Sequence, residues 1–292
     1  MGNLKYYTRL NLKKNFLGKI SITSWLIIVN AGIFILLWSL ILLKIINIEF
    51  VINYIAITPS DFIHGKHLWT VLTSMFTHLE FWHLLFNMFS LFFIGKFVER
   101  ILGRKRFFAF YIVAGIFAGI LFALLSGFFG NGEILGKILG NPAIAGVGAS
   151  GAIFGLLGAL ALITPKARVS LIVGPLIAIV AQVIFESIPN SNLSLVSSAA
   201  GFIANIYIIL CLFAIFSFNP KWMKFALPLE IKFYMIPFIA ILPLIIIGFF
   251  YDLPIGNMAH LGGFFAGVVY GVYLRAKYPN KIKMLNKYIG AR

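Results

Sequence analysis

Four polar side chains of this 292-residue sequence have types and spacings suited to acyl transfer: Ser150, His260, and the pair His83 and Asn87. A serine hydroxyl becomes a nucleophile at neutral pH when a base takes its proton, and a neutral imidazole is the usual base. Ser150 and His260 fit those roles. The reaction also needs hydrogen-bond donors where the tetrahedral oxyanion develops. His83 and Asn87 are four residues apart, which on a helix puts them on one face, and both can donate. Backbone amides at the start of a helix, chiefly that of Ser150, would point toward the same place. The aspartates, Asp61 and Asp252, fall in expected loops, so a Ser–His dyad is expected rather than a triad.

Other membrane chemistries lack their residues. The His-Glu-x-x-His pattern of a metalloprotease is absent, and His64 and His67 form a loop pair without a third ligand nearby. Neither aspartate lies in a span, as an intramembrane aspartyl protease would require. The run Gly148-Ala-Ser-Gly-Ala152 departs from the Gly-x-Ser-x-Gly elbow of α/β-hydrolases and has no strand before it. No metal or cofactor is expected. The single cysteine, Cys211, offers no disulfide framework.

The elements that must carry these residues are membrane spans. Hydrophobic residues make up 61% of the chain and charged ones 11%, against roughly 25% charged in a soluble domain. The apolar residues fall in blocks of about 20, long enough to cross a hydrocarbon core of roughly 30 Å. Candidate spans are 24–43, 82–99, 107–126, 150–164, 169–188, 194–218, 231–250 and 258–275. The expected fold is all-α: a polytopic transmembrane helical bundle of about eight spans.

The formal charge of +16 would suggest nucleic acid in a soluble protein. Its distribution says otherwise. With the N-terminus inside, 21 of the 24 Lys and Arg fall on the inner face, and Lys44, Lys66 and Lys137 are left outside. The positive-inside rule then places both termini in the cytoplasm of a multi-pass cell-membrane protein, with lipid rather than nucleic acid as the partner of the positive charge. The expected organisation is a basic N-terminal segment (1–23), a membrane domain (24–275) and a basic C-terminal tail (276–292). Two long segments, 44–81 and 127–149, lie on the outer side.

The same frame sets depth. The fourth span, from Ser150 to about Pro165, is roughly 22 Å long and falls short of the core thickness, so Ser150 lies below the outer surface. His260 stands roughly 22 Å from the inner marker Arg275, while Asn87 and His83 stand about 20 and 25 Å from Arg100. A span serine often bonds only to its own helix, and a lone histidine is often merely interfacial. Four such groups from three spans at one depth are better explained as one site. Gly263 and Gly267 follow His260, and Gly151, Gly155 and Gly158 follow Ser150. Small residues at this spacing let helices approach closely, with Phe154 as a packing surface for the imidazole.

Three motifs resemble the rhomboid intramembrane serine proteases. Thr77-His78-Leu-Glu-Phe-Trp-His83-Leu-Leu-Phe-Asn87-Met88 is similar to that family's second-helix motif, Gly148-Ala149-Ser150-Gly151 to its Gly-x-Ser-Gly, and Asn257-Met-Ala-His260-Leu-Gly-Gly263-Phe-Phe-Ala-Gly267 to its last-helix motif. The resemblance implies Ser150 as nucleophile, His260 as base, His83 and Asn87 with the Ser150 amide as the oxyanion hole, and His78 as a supporting residue. It implies cleavage of peptide bonds in or near transmembrane segments of other membrane proteins, through an acyl-enzyme. Two features depart from the family: Trp69-Thr70 stands where Trp-Arg is common, and a hairpin within 167–218 is added to the six-helix core. A catalytically inactive rhomboid-like scaffold is the alternative from another class. A transporter is disfavoured by the lack of an internal repeat.

Overall fold

The computed structural model describes residues 20–172, 174, 177–178, 194–216, 219–250 and 256–290. Helices occupy the expected spans with one exception. They are α1 (Ile22–Leu42), α2 (Phe81–Leu102, with a π turn at Leu91–Gly95), α3 (Arg104–Phe129), α4 (Ser150–Ile163), α5 (Ser194–Phe216), α6 (Ile236–Phe250) and α7 (Asn257–Lys277). Among the described residues α1, α2 and α3 are long and apolar enough to cross a membrane, and α4 is shorter. Large apolar side chains such as Ile35, Leu36, Phe265 and Val269 are exposed. Their natural solvent is lipid, which makes this a multi-pass membrane protein.

The exception is the start of the span expected at 169–188; Gly174, Ile177 and Ala178 further along it are helical. Arg168–Ile172 is a strand, β1, paired antiparallel with β2 (Pro228–Lys232) from Arg168↔Lys232 to Ile172↔Pro228. Charged residues recurring at Arg168, Glu230 and Lys232 disfavour burial of these five-residue stretches in a span, whereas paired strands satisfy their backbone groups. The remainder of 169–188 lies almost wholly outside the described residues. The expected hairpin within 167–218 is therefore described in part, as β1 and α5.

The short helix α4 lies at the centre, buried on nearly all sides, as a helix without a polar stripe should be. Leu156, Leu160 and Ile163 pack with Leu91 of α2 and Phe107 and Tyr111 of α3 in one core. Helices α4 and α7 make the most extensive interhelical contact among the described residues. The stretch expected to be a basic tail contains a further helix, α8 (Pro279–Gly290). Ile282, Leu285 and Ile289 recur at helical spacing, and Asn286 Nδ2 donates to the Ile163 carbonyl at 2.7 Å, which ties α8 across the end of α4.

Both long segments expected on the outer side are built rather than merely solvated. The first contains helices at Ile48–Tyr54, Pro59–Ile63 and Thr70–Thr73, and the second one at Glu133–Leu139. They are joined by reciprocal backbone bonds between Ile57 and Gly146 (3.0 and 2.8 Å) and by Ser60 N–H to the Pro142 carbonyl (2.9 Å). Thr70 Oγ1 donates to the His67 carbonyl at 2.7 Å. Neighbouring Trp69 Nε1 donates to the Tyr54 carbonyl at 2.9 Å and Thr73 Oγ1 to the Ile55 carbonyl at 2.7 Å. Uncharged side-chain-to-backbone bonds thus hold this loop.

Candidate active site

Ser150 is the first residue of α4 and His260 lies in the first turn of α7. Their helices are drawn together because α7 has glycine where it crosses α4. A Cβ added at Gly263 would collide with the Gly151 carbonyl oxygen, and one at Gly267 with the Gly155 carbonyl oxygen. Gly151 in turn accommodates the Ala118 methyl of α3, which would lie 2.7 Å from an added Cβ. This approach puts His260 Nε2 2.8 Å from Ser150 Oγ. Such a contact is within the range for proton transfer to a base.

The His260 ring stacks on Phe154, one turn below Ser150, with centroids 4.4 Å apart and planes at 22°. Its Nδ1 is buried without a hydrogen-bond partner among the described residues. No carboxylate among the described residues meets it there. Asp61 lies 3.8 Å from His67 in the segment between α1 and α2, and Asp252 lies outside the described residues. The described arrangement is thus a pair, oriented by packing where triads use a carboxylate.

Behind Ser150, the chain passes through Gly148, whose φ of +119° is a conformation that L side chains rarely adopt. Its N–H donates to the Ser74 carbonyl at 2.8 Å. An added Cβ there would lie 2.7 Å from both Cε1 and Nε2 of His83 and 3.8 Å from His78 Nε2. His83 therefore rests over the backbone that leads into the Ser150 amide. Its ring meets His78 edge to face, with centroids 5.0 Å apart. His78 is buried and its Nε2 accepts from the Ala149 N–H at 3.4 Å. Burial, and secondarily the nearby His83, hold the His78 imidazole down to about 3, so it is neutral at pH 7.

Asn87 is buried one turn below His83, and its Nδ2 donates to the His83 carbonyl at 2.9 Å. One amide proton is thus engaged with its own helix, and the second leaves a donor. The residues singled out from the sequence, from His78 to Gly267, lie in or just before the first two turns of α2, α4 and α7 or in the contact between α4 and α7. No group of His, Cys, Asp and Glu among the described residues has the arrangement of a metal site.

Two further buried polar residues have no role in the sequence-based expectations. Asn257 is buried one turn before His260, with Oδ1 unpartnered among the described residues. Its signal is a polar residue three positions before a span histidine. Glu99 is buried at the opposite end of α2 and accepts from Ile22 N–H (2.9 Å), Thr23 N–H (2.9 Å) and Thr23 Oγ1 (2.7 Å). A carboxylate at the edge of an apolar span, among basic neighbours, is the signal there.

The comparisons with known proteins agree with this architecture. The rhomboid-domain family model matches residues 65–215, which include His78, His83, Asn87 and Ser150 and end before His260. Rhomboid protein 1, mitochondrial, of Saccharomyces cerevisiae is 38% identical over 106 residues, 36% of this chain and 28% of that protein. RHOMBOID-like protein 1 of Arabidopsis thaliana is 38% identical over 105 residues, 36% of this chain and 23% of that protein. Rhomboid protease GluP of Bacillus subtilis is 37% identical over 92 residues, 32% of this chain and 15% of that protein. The aligned stretches thus span less than a third of each relative. With a matching domain over more than half its length and the helical core to carry it, this chain belongs to the rhomboid family.

Proposed function

We propose that this rhomboid is an intramembrane serine endopeptidase that cuts peptide bonds in or near transmembrane segments of other membrane proteins. The observation that carries the reading is the 2.8 Å contact between His260 Nε2 and Ser150 Oγ at the head of a buried helix. In the proposed reaction Ser150 Oγ attacks the scissile carbonyl carbon while His260 Nε2 takes its proton. The negative charge forming on the carbonyl oxygen is received by the Ser150 N–H, His83 and the free proton of Asn87. Collapse breaks the C–N bond as His260 returns the proton to the leaving amine. Water, deprotonated by His260, then hydrolyses the acyl-enzyme.

The substrate must offer an extended carbonyl, because a helical one is already bonded and hidden within its own turn. Segments with helix-breaking residues near the cut are favoured for that reason. Both termini are proposed to face the cytoplasm and the dyad to open toward the outer side, on the strength of the 21-to-3 division of basic residues. Cysteines substituted singly at Lys137 and Lys221 should react with impermeant reagent from opposite sides, and reaction from one side would overturn this orientation.

The deciding experiment is labelling with a fluorophosphonate in detergent, paired with cleavage of a reconstituted substrate bearing one transmembrane segment. Wild type should label and cleave, Ser150→Ala should do neither, and His260→Ala should label much more slowly. Equal labelling of all three would remove the dyad. Substrate binding without cleavage by wild type would make the chain a scaffold.

A further inference from the structure

At the end of the bundle opposite Ser150 lies a cavity of about 1110 Å³. The length of α4 separates the two, roughly 20 Å at 1.5 Å per residue. Arg100, Arg106, Lys166, Arg168 and Lys281 line it, with Glu230 as its one carboxylate among the described residues. Glu230 is matched to Arg168 at 3.5 Å, so the other four cations give the cavity a positive excess. Two of them are held without being neutralised: Arg106 and Lys281 each lie over the Tyr278 ring, 5.3 Å from its centroid. An aromatic face positions a cation but leaves its charge available.

Charge that serves only to set topology can be scattered over the surface, where water screens each residue. Here it converges on a concavity with low-dielectric walls, which focuses the field and makes the like charges repel. Those walls are apolar, with Phe97 and Ile101 of α2 on one side and Leu285 and Ile289 of α8 on another. The bond from Asn286 to the Ile163 carbonyl holds α8 in that position. A free inorganic anion would neutralise the rim and leave these walls wet. A molecule that is anionic at one end and apolar at the other satisfies both.

We propose that this cavity is a binding site for an anionic glycerophospholipid of the surrounding bilayer. The headgroup phosphate sits among Arg106, Lys166 and Lys281, and the glycerol and proximal acyl chain lie along Phe97, Ile101 and α8. Basic pockets between spanning helices are suited to such headgroups, and the volume suits a headgroup with the start of its chains. The site is independent of the chemistry at Ser150.

The test is thermal unfolding of the full chain in neutral detergent with phosphatidylglycerol, phosphatidylcholine or inorganic phosphate added. Phosphatidylglycerol should raise Tm by about 5 °C, as expected for a ligand well above its Kd, with about 1 °C or less from the other two. The variant Arg106→Gln/Lys166→Gln/Lys281→Gln should lose that shift. A control, Arg275→Gln/Lys283→Gln/Lys287→Gln, removes equal charge outside the cavity and should keep it. Equal shifts from both lipids, an equal shift from phosphate alone, or equal losses in the two variants would each overturn the proposal. Should the cavity variant not fold, the exposed substitution Lys166→Gln is compared with Lys283→Gln by native mass spectrometry. Fewer phosphatidylglycerol adducts on the former supports the site, and equal numbers overturn it.

Discussion

The ring of Phe154 lies flat beneath that of His260, centroids 4.4 Å apart, while His260 Nδ1 has no hydrogen-bond partner among the described residues. The stack and the Ser150 contact are therefore what orient the imidazole. Replacing Phe154 by Ala should release the ring. Stacking of this kind is worth about 1 kcal/mol, so kcat should fall about fivefold with KM little changed. Phe154→Tyr should restore most of the rate. A change confined to KM, or no rescue by tyrosine, would assign Phe154 to general packing instead.

Gly148 lets the His83 ring, an oxyanion donor in the proposed mechanism, lie against the backbone that leads into Ser150. Any side chain there combines the unfavourable φ of +119° with contact against His83 Nε2 and Cε1. Gly148→Ala should displace His83 and lower kcat by about 10²-fold or more, the scale of losing one oxyanion donor. Asn87→Ala should cost about 10²-fold by the same reasoning. Fluorophosphonate labelling at wild-type rate in either variant would remove that residue from the site.

The buried, neutral His78 makes stability depend on pH. Its folded-state value of about 3 is below the ordinary 6.5, so between these limits the unfolded chain binds the extra proton. Stability from this source is complete above about pH 6.5 and is lost as pH falls toward 3. Tm should decline as pH is lowered from 7 to 4.5, and His78→Gln should show a shallower decline. Parallel curves for the two proteins would contradict this origin.

What could be read before folding divides along the range of the interactions. Ser150, His260, His83 and Asn87 were legible because spans are long apolar runs and charged residues mark their ends, so depth follows from counting. The stack of Phe154 followed from a one-turn spacing. The strand at Arg168–Ile172 was not legible, because five apolar-leaning residues beside a longer apolar run look like the start of a span until their partner, Pro228–Lys232, is known. The same holds for the two joined long segments, whose Ile57 and Gly146 are far apart in the chain. The helix α8 was hidden by its charge: five basic residues in 276–292 outweigh three apolar ones at helical spacing unless periodicity is read separately from composition.

Glu99 is the clearest case of a long-range interaction that the local pattern conceals. Its carboxylate accepts three hydrogen bonds from the first turn of α1, across 76 or 77 positions of sequence. Two come from backbone N–H groups that a helix start leaves unpaired, and negative charge there is also favoured by the helix dipole. It thereby joins α1 to the end of α2. Glu99→Ala would leave these donors buried and unpaired, at a cost of about 3 kcal/mol. Glu99→Gln keeps one acceptor oxygen and loses the charge, so its cost should be about half. Thr23→Val removes only the hydroxyl bond and should cost less again, and in the Glu99→Ala background it should cost nothing, because the partner is already gone. Thermal unfolding in detergent measures each step. Tm drops ordered Glu99→Ala, Glu99→Gln, Thr23→Val are expected, and additive losses in the double variant would show that Thr23 and Glu99 do not act as one tie.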